Sequence, residues 1–537
     1  MGNINGLAGP LPNHWINSHE VLGKAILERE RAFGMRPVLQ GFTGHVPARL
    51  KDKFPDSKIV QTTDWAGMPG TYMLDPRDPL FKQMGKRFIE IQTEHYGTDH
   101  LYDADCFNEV NPPSKDTAFI QAYSRSIFQS MTAADPEATW VMQGWFLFWQ
   151  KDFWQEPQAR ALLDAIPAKH LLLLDLWGEK NPVWDKTNSF YGKPWVWNII
   201  CNLGQQVNLS GDLYTIYQNF HQAFADPQNG DLRGIGVMME GFGYNPVVQD
   251  FIGHLVWSPE LPSLSNWIAH YATNRYGTPN AQATDAWQGL LGSVYRQAVE
   301  GGDLICSAPG AWVPDISEER PYGVSYNTDS LFYAVESLLG AADRLKDNKN
   351  YQFDLVHTTR EVLSLKANVL FYQARQAAEK KDIPLYERKS KAFLRLLQDM
   401  DQLLGTNPHF LLGKWIADAR KWGATKEEKD YYEWNARTIV TLWQPSPNSH
   451  LKDYAAREWN GMVGGYYFHR WEKYFEAMHD ALAKGVPFDR TAFDQEIAQW
   501  EYNWTRQHNR YPAHPQGDPV RIARALYHKY KPIVQPF

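Results

Sequence analysis

The first half of the chain alternates short apolar segments with amphipathic helical segments. We predict six β-strands, at residues 35–42, 100–105, 139–145, 170–177, 194–200 and 236–239. Their apolar residues are largely consecutive, which is typical of strands buried on both faces. The intervening segments are helical, as at 79–96, where Asp78 and Pro79 form a helix start. This alternation indicates parallel βα units.

The number of strands leaves two arrangements open for this half. A (β/α)₈ barrel needs eight strands and typically about 250 residues, and six strands precede residue 261. Six strands also suit an open doubly wound sheet. The opening residues resemble the end of a loop more than the start of a domain. We therefore predict a (β/α)₈-type barrel over residues 1–261 with about six βα units, incomplete at its N-terminus.

After residue 261 the strand signals disappear and helical periodicity takes over. One apolar stripe runs from Leu331 to Leu345 behind candidate N-caps at 327–329, and another runs from Phe393 to Leu403. We predict a large all-α domain at 262–537. The fold class is therefore α/β followed by all-α.

Composition and charge narrow the function classes. The 537 residues include 54 Lys and Arg against 61 Asp and Glu, a net charge of −7, which argues against nucleic-acid binding. The chain holds 22 Trp, 27 Tyr and 26 Phe, whose flat rings stack well on sugars. Cys106, Cys201 and Cys306 form neither a disulfide framework nor a zinc pattern. We expect no metal, no cofactor and no membrane span, and the first residues do not form a signal peptide.

Carboxylates at strand ends are the candidate catalytic groups. In a parallel barrel, residues that follow the strands face the active site. Asn108-Glu109 follows the second predicted strand, and Glu240 follows the sixth. Glycoside hydrolysis uses two such carboxyl groups, and a separation of about 5–5.5 Å gives retention of configuration. Four other carboxylates compete by position, so the pattern alone leaves the pair open: Asp103, Asp105, Asp175 and Glu179.

Rare sequence blocks along the whole chain resemble one family. The blocks are Gly9-Pro10-Leu11-Pro12, 33–39, Gly44-His45-Val46-Pro47, Phe107-Asn108-Glu109, Gln143-Gly144-Trp145, Asp175-Leu176, Glu240-Gly241, 410–413, Leu442-Trp443, Asp453-Tyr454-Ala455 and Arg510-Tyr511-Pro512. They are similar to the α-N-acetylglucosaminidases of glycoside hydrolase family 89. The chain departs from the family by lacking its small N-terminal domain and the first two βα units.

The resemblance implies a retaining exo-glycosidase that removes terminal α-linked N-acetylglucosamine (GlcNAc) from glycans. It implies that Glu109 is the acid/base and Glu240 the nucleophile. The residues that match positions around the sugar are Asn108, Trp65, Trp145, Trp197 and Tyr454. We expect Asp105 to orient the site or to bind sugar hydroxyls. Arg470 matches a family position that supports the structure.

Two alternative functions remain open at this stage. The chain could be a truncated, non-catalytic homologue that binds sugar weakly, or a glycosidase for another sugar or linkage. The expected partner is a glycan with terminal α-GlcNAc, and a homo-oligomer stays open. Localisation is uncertain, with a periplasmic or extracellular site expected if an upstream signal has been lost.

Overall fold

The computed structural model describes residues 11–201, 203–241, 243–258, 260, 263–297 and 303–531. The predicted domain boundary at 261/262 and the first two residues of the family block Gly9-Pro10-Leu11-Pro12 lie outside these residues. The chain divides into two compact units. The sheet unit comprises 1–200 and 215–238, and the helical unit comprises 201–214 and 239–537.

The sheet unit is built on a six-stranded parallel sheet. Its strands, with a separate two-stranded hairpin formed by β2 and β3, are β1 Leu39–Gln40, β2 Ile59–Gln61, β3 Tyr72–Leu74, β4 Leu101–Asp103, β5 Thr139–Gln143, β6 Leu171–Asp175, β7 Trp195–Ile199 and β8 Leu232–Val237. The order is β1-β4-β5-β6-β7-β8, so neighbours in the sheet follow the order of the chain. This order is that of successive βα units, as the alternation predicts.

Large side chains fill the sheet unit where adjacent strands are paired. Tyr102 pairs with Trp140, Trp140 with Leu171, and Leu173 with Trp195. All five side chains are buried. These five residues share one face of the sheet, because paired residues and residues two apart point to the same side. In β4 and β6 the residues of the other face are half-buried.

All six predicted strands differ in their bounds from the structure, and the first, third and last illustrate the differences. The first strand keeps only Leu39–Gln40 of the predicted 35–42. The third ends at Gln143, because Gly144 begins a short helix that contains Trp145. The last is Leu232–Val237 and not 236–239, because Arg233 and Gly234 interrupt its apolar pattern. The β2–β3 hairpin was not predicted.

The helices cover the sheet in the first unit and form most of the second. They are α1 Asn13–Ala32, α2 Leu50–Lys53, α3 Pro79–Tyr96, α4 Thr117–Thr132, α5 Trp145–Trp149, α6 Glu156–Leu163, α7 Leu213–Ala225, α8 Pro246–Trp257, α9 Leu264–Tyr276, α10 Ala281–Leu291, α11 Thr328–Leu345, α12 Lys349–Glu379, α13 Ile383–Leu404, α14 Leu412–Lys421, α15 Lys426–Ile439, α16 Phe468–Lys484, α17 Arg490–Thr505 and α18 Pro519–Tyr530. Asp78 caps α3 by accepting a hydrogen bond from the Leu80 amide, as the sequence predicts. A short left-handed turn occupies Asn188–Gly192.

The helical unit is organised around α12. This helix is buried on all sides from Phe353 to Phe371 and packs against α9, α11, α13 and α18. Its buried face includes charged side chains as well as apolar ones, with Arg360 fully buried. Among the residues that the structure describes, no helix has both the length and the apolar character that a membrane crossing requires.

Candidate active site

Glu109 lies in the loop that follows β4, at the C-terminal edge of the parallel sheet. Its backbone φ is 144°, a value that residues with a side chain rarely adopt. The loop holds this conformation through a short turn in which the Glu109 amide donates to the Phe107 carbonyl at 3.0 Å. A strained residue next to a strand end is a common feature of functional sites.

Two tryptophans hold the Glu109 carboxylate, one on each oxygen. Trp65 donates from Nε1 to Oε2 at 2.6 Å, and Trp145 donates from Nε1 to Oε1 at 2.8 Å. We call Glu109, Trp65 and Trp145 the Glu109 cluster. Two of the predicted sugar-contacting tryptophans thus lie directly on the predicted acid/base.

Each tryptophan of the Glu109 cluster is presented by a different element. Trp145 is the first residue of α5, immediately after β5 and Gly144. Trp65 lies at the tip of the β2–β3 hairpin, where it exchanges two backbone hydrogen bonds with Met68. Between them, Ala66 and Gly67 have φ of 48° and 75°, the signs that a two-residue type I′ turn requires.

A pair of aspartates lies between the end of β4 and Glu109 in the chain. Burial raises the pKa of Asp103, and burial together with the Asp103 carboxylate raises the pKa of Asp105 well above its ordinary value. Asp105 accepts a hydrogen bond from the Gln143 amide at 3.2 Å, which ties the loop after β4 to the end of β5. Burial and the neighbouring carboxylate therefore both disfavour ionisation of Asp105.

The other predicted residues of the sheet unit differ in exposure. Asn108 is half-buried beside Glu109. Trp197 is fully buried in β7 and packs edge-to-face on Phe220 at 6.1 Å. A sugar-contacting role for either residue stays a prediction.

Two of the competing carboxylates accept hydrogen bonds from backbone amides. Asp175 accepts hydrogen bonds from the Val183 and Trp184 amides at 3.0–3.3 Å, and burial raises its pKa to about 7. Glu179 accepts one from the Ile200 amide at 3.0 Å. Both side chains are buried. They fix loops at the edge of the sheet, which reduces the ambiguity that the sequence left.

In the helical unit, Glu240 is held by two donors on a single oxygen. The Gly204 amide donates to Oε2 at 2.6 Å, and the Tyr454 hydroxyl donates to the same atom at 2.5 Å. Both donors stabilise negative charge on that oxygen. Glu240 is exposed and Tyr454 is half-buried. We call Glu240, Gly204 and Tyr454 the Glu240 cluster.

The donor from Gly204 is one that sequence reasoning missed. Gly204 has φ of 66°, and a Cβ atom there would lie 1.9 Å from the Tyr454 carbonyl oxygen. Glycine is therefore required for the two backbone segments to approach. The sequence signal for this donor is a glycine in a loop after a strand, but such glycines are too common to identify it.

The described residues contain one group of three side chains with the spacing of metal ligands. It comprises Asp430, Glu433 and His508. Arg420 bonds both carboxylates, at 2.9 and 2.6 Å, and Lys426 bonds Asp430 at 2.7 Å. These cations already neutralise the acidic groups, so the arrangement is that of an ion-pair network and not of a metal site.

Comparison with known families identifies the chain. The family model described as the α-N-acetylglucosaminidase (NAGLU) TIM-barrel domain matches residues 1–259, and that of the NAGLU C-terminal domain matches 267–529. The chain belongs to this family. It is 34% identical to human α-N-acetylglucosaminidase over 538 aligned residues, which cover 99% of this chain and 72% of the human protein.

Solved structures from Clostridium perfringens are similar over nearly the whole chain. A family 89 glycoside hydrolase in complex with 2-acetamido-1,2-dideoxynojirmycin has a TM-score of 0.87 and 26% identity, covering 98% of this chain. A variant of the clostridial protein with two glutamate-to-glutamine substitutions, in complex with its substrate GlcNAc-α-1,4-galactose, has a TM-score of 0.85 and 26% identity over 97% of this chain. The chain spans about 60% of the length of these clostridial structures.

These matches confirm the predicted family and fold class. The parallel sheet with surrounding helices corresponds to the TIM-barrel domain, and the helical part to the C-terminal domain. The chain is homologous to glycoside hydrolases that act on or bind GlcNAc compounds.

Proposed function

We propose that the chain is a retaining exo-glycosidase that hydrolyses terminal α-linked GlcNAc from glycans. The observation that carries the proposal is the state of the two predicted catalytic glutamates. Each follows a strand of the sheet, and each has its carboxylate held by two hydrogen-bond donors. Pre-positioned carboxylates are what two-carboxylate glycoside hydrolysis requires. The same arrangement favours catalysis over the alternative of a non-catalytic homologue.

The proposed mechanism has two steps. In the first, an oxygen of Glu240 attacks the anomeric carbon while Glu109 donates its proton to the leaving oxygen, so the glycosidic bond breaks as the glycosyl-enzyme bond forms. In the second, Glu109 accepts a proton from water, and the water oxygen displaces Glu240 from the anomeric carbon. Both donors in the Glu240 cluster bind Oε2, which assigns the attack to Oε1.

The residues around the glutamates have supporting roles in this proposal. Trp65 and Trp145 fix the direction of the Glu109 carboxyl group, and their rings form the wall beside it. Tyr454 fixes Glu240. We expect Asn108 to contact the 2-acetamido side of the sugar, as the family resemblance implies. The galactose seen with the clostridial variant makes a GlcNAc-α-galactose glycan the first natural-type substrate to test.

The test separates the two glutamates by the leaving group of the substrate. The purified chain is assayed with p-nitrophenyl α-GlcNAc, whose leaving group needs little protonation, and with GlcNAc-α-1,4-galactose, whose leaving group needs it. Glu240→Gln is expected to lose activity on both substrates by at least about 100-fold. Glu109→Gln is expected to lose about 10²–10⁴-fold on the disaccharide and less on the aryl glycoside.

Matched controls and product stereochemistry complete this experiment. Glu137→Gln alters an exposed glutamate of the sheet unit and Glu496→Gln one of the helical unit, and both variants should keep the wild-type rate. NMR of the fresh product should show α-GlcNAc first. An inactive wild-type chain, an unaffected Glu109 or Glu240 variant, or an initial β-anomer would each contradict the proposal.

A further inference from the structure

Arg457 is a buried cation that no carboxylate compensates. Its side chain is 4% exposed. Among the described parts of the chain, no Asp or Glu lies within ion-pair distance of it, whereas the buried Arg360 and Arg470 each bind carboxylates. Burial lowers the pKa of the Arg457 guanidinium. Burying an uncompensated charge is unfavourable. The burial of the Arg457 guanidinium therefore requires a structural or functional explanation.

The Arg457 guanidinium donates hydrogen bonds to several backbone oxygens around the Glu240 cluster. Nη1 donates to the carbonyls of Gly204 at 2.7 Å, Ala455 at 2.9 Å and Ala456 at 3.1 Å. Nη2 donates to Oε1 of Gln205 at 2.7 Å. One planar group thus joins the loop after β7 to the segment that follows Tyr454.

Both donors to Glu240 are adjacent to atoms that Arg457 binds. Gly204 supplies one donor through its amide, and its carbonyl is bound by Arg457. Tyr454 supplies the other, and the carbonyl of the next residue, Ala455, is bound by Arg457. The Gly204 and Tyr454 backbones also lie so close that a Cβ atom on Gly204 would overlap the Tyr454 carbonyl.

Gln205 extends this arrangement to the residue after Glu240. A Cβ atom added to Gly241 would lie 1.9 Å from Cγ of Gln205, so the Gln205 side chain rests on the Gly241 backbone. The same side chain accepts from Arg457. Arg457 is therefore connected to Glu240 through both of its donors and through the backbone that follows it.

We propose that Arg457 is a positioning residue that orients Glu240 for nucleophilic attack by holding Gly204, Gln205 and the Tyr454–Ala456 segment together. It does not touch the substrate itself. The planar fork is essential, because an ammonium group cannot bind the Gly204 carbonyl and the Gln205 amide in this geometry. This inference rests on the proposed function of Glu240.

The kinetic test uses Arg457→Gln and Arg457→Lys in the full chain with p-nitrophenyl α-GlcNAc. Arg457→Gln is expected to lower kcat about 100-fold with little change in KM, because a small misplacement of a reacting group has an effect of this size. Arg457→Lys should fall between this variant and the wild type. A residue that only supports the fold would not lower kcat at unchanged KM in a folded variant, and lysine would not restore part of the rate.

A second readout is independent of activity. Hydrogen exchange at the Gly204 amide reports on its bond to Glu240, and we expect it to be at least tenfold faster in Arg457→Gln. The matched control is Arg375→Gln, which removes an exposed arginine paired with Glu379 on α12 and should change neither kcat nor Gly204 exchange. Thermal unfolding shows whether each variant is folded.

The two readouts separate failure of this inference from failure of the proposed function. If the wild type does not cleave α-GlcNAc glycosides but Gly204 exchange still rises in Arg457→Gln, the proposed function is wrong and the positioning of Glu240 by Arg457 is supported. If folded Arg457→Gln keeps the wild-type kcat, or protects the Gly204 amide as the wild type does, the inference is overturned.

Discussion

Indole N–H groups are the donors on both oxygens of Glu109. Trp65 and Trp145 each combine a ring that can line a sugar site with a polar atom that reaches the carboxylate. The surplus of tryptophan in the composition is therefore partly explained by hydrogen bonding and not by stacking alone. A phenylalanine at either position would keep the apolar ring and lose the donor.

Trp145→Phe tests how much the hydrogen bond from Trp145 Nε1 to Glu109 contributes to activity. Removing a hydrogen bond to the negative charge that forms on Glu109 as it gives up its proton costs about 1.5–3 kcal/mol, so we expect kcat on GlcNAc-α-1,4-galactose to fall about 10–100-fold with the fold preserved. Trp149→Phe is the matched control, because Trp149 lies one turn further along α5, is 59% exposed and stacks on Trp145 at 5.9 Å. An equal loss in both variants would mean that stacking and not the N–H group matters.

At this scale the sequence predicts the carboxylates better than the groups that hold them. Glu109 follows β4, whose apolar run is visible in the sequence, whereas Glu240 follows β8, of which only Gly236 and Val237 fell within the predicted strand. Trp65 comes from a hairpin tip, and Gly204 and Arg457 come from loops without periodicity, so no pattern brings them to the glutamates. Tyr454 was named from family resemblance and not from spacing. Their positions depend on packing between segments that are distant in the chain.

The loop after β4 in the sheet unit and the loop after β7 in the helical unit each include an unusual backbone conformation. Glu109 has φ of 144°, and Gly204 has φ of 66°. The parallel sheet includes a register shift between Trp195 and Val196, where β7 pairs with β8. The strands themselves were predicted well in the middle of the sheet, where apolar residues are consecutive. They were predicted poorly at β1 and β8, where few apolar residues or a glycine-rich pattern weaken the signal.

Gly204→Ala tests the close approach of the loop after β7 to Tyr454. Gly485→Ala is the matched control, because Gly485 has nearly the same φ, 67°, and no atom within 4 Å of an added Cβ. Both variants should lose about 1–2 kcal/mol of stability from the left-handed backbone. Only Gly204→Ala should also lose about 100-fold in kcat, because its Cβ displaces the donor to Glu240.

Denaturation midpoints measured beside kcat decide this prediction. If Gly485→Ala loses as much activity as Gly204→Ala, the effect is one of general stability. If Gly204→Ala keeps full activity, the contact with Tyr454 is not needed to hold Glu240.

On the scale of the whole molecule, the helical unit buries more carboxyl groups around α12 than its buried cations neutralise. Arg360 is fully buried and binds three carboxylates, those of Asp303, Glu361 and Glu458. Burial raises the pKa of Glu361, and burial raises the pKa of Glu458 to about 8. One guanidinium cannot compensate three negative charges, so we expect Glu458 to retain its proton at neutral pH.

The sign of the pH dependence follows from this raised pKa. The folded chain binds the Glu458 proton more tightly than the unfolded chain, whose Glu has its ordinary pKa near 4.5. The stabilisation is therefore complete below about pH 4.5 and is lost as the pH rises to about 8. This difference between the folded and unfolded pKa of Glu458 corresponds to a change of about 5 kcal/mol in the free energy of unfolding between pH 4.5 and pH 8. We expect the thermal midpoint to fall over this range.

Glu458→Gln isolates this contribution, because glutamine fills the same space and stays neutral. The variant should unfold at nearly the wild-type temperature at pH 5 and at a higher temperature than the wild type at pH 8. Glu379→Gln, an exposed change at the end of α12, the helix that carries Arg360, should follow the wild-type curve throughout. If Glu458→Gln and the wild type instead lose stability in parallel from pH 5 to pH 8, Glu458 is ionised in the folded chain. The prediction is then wrong.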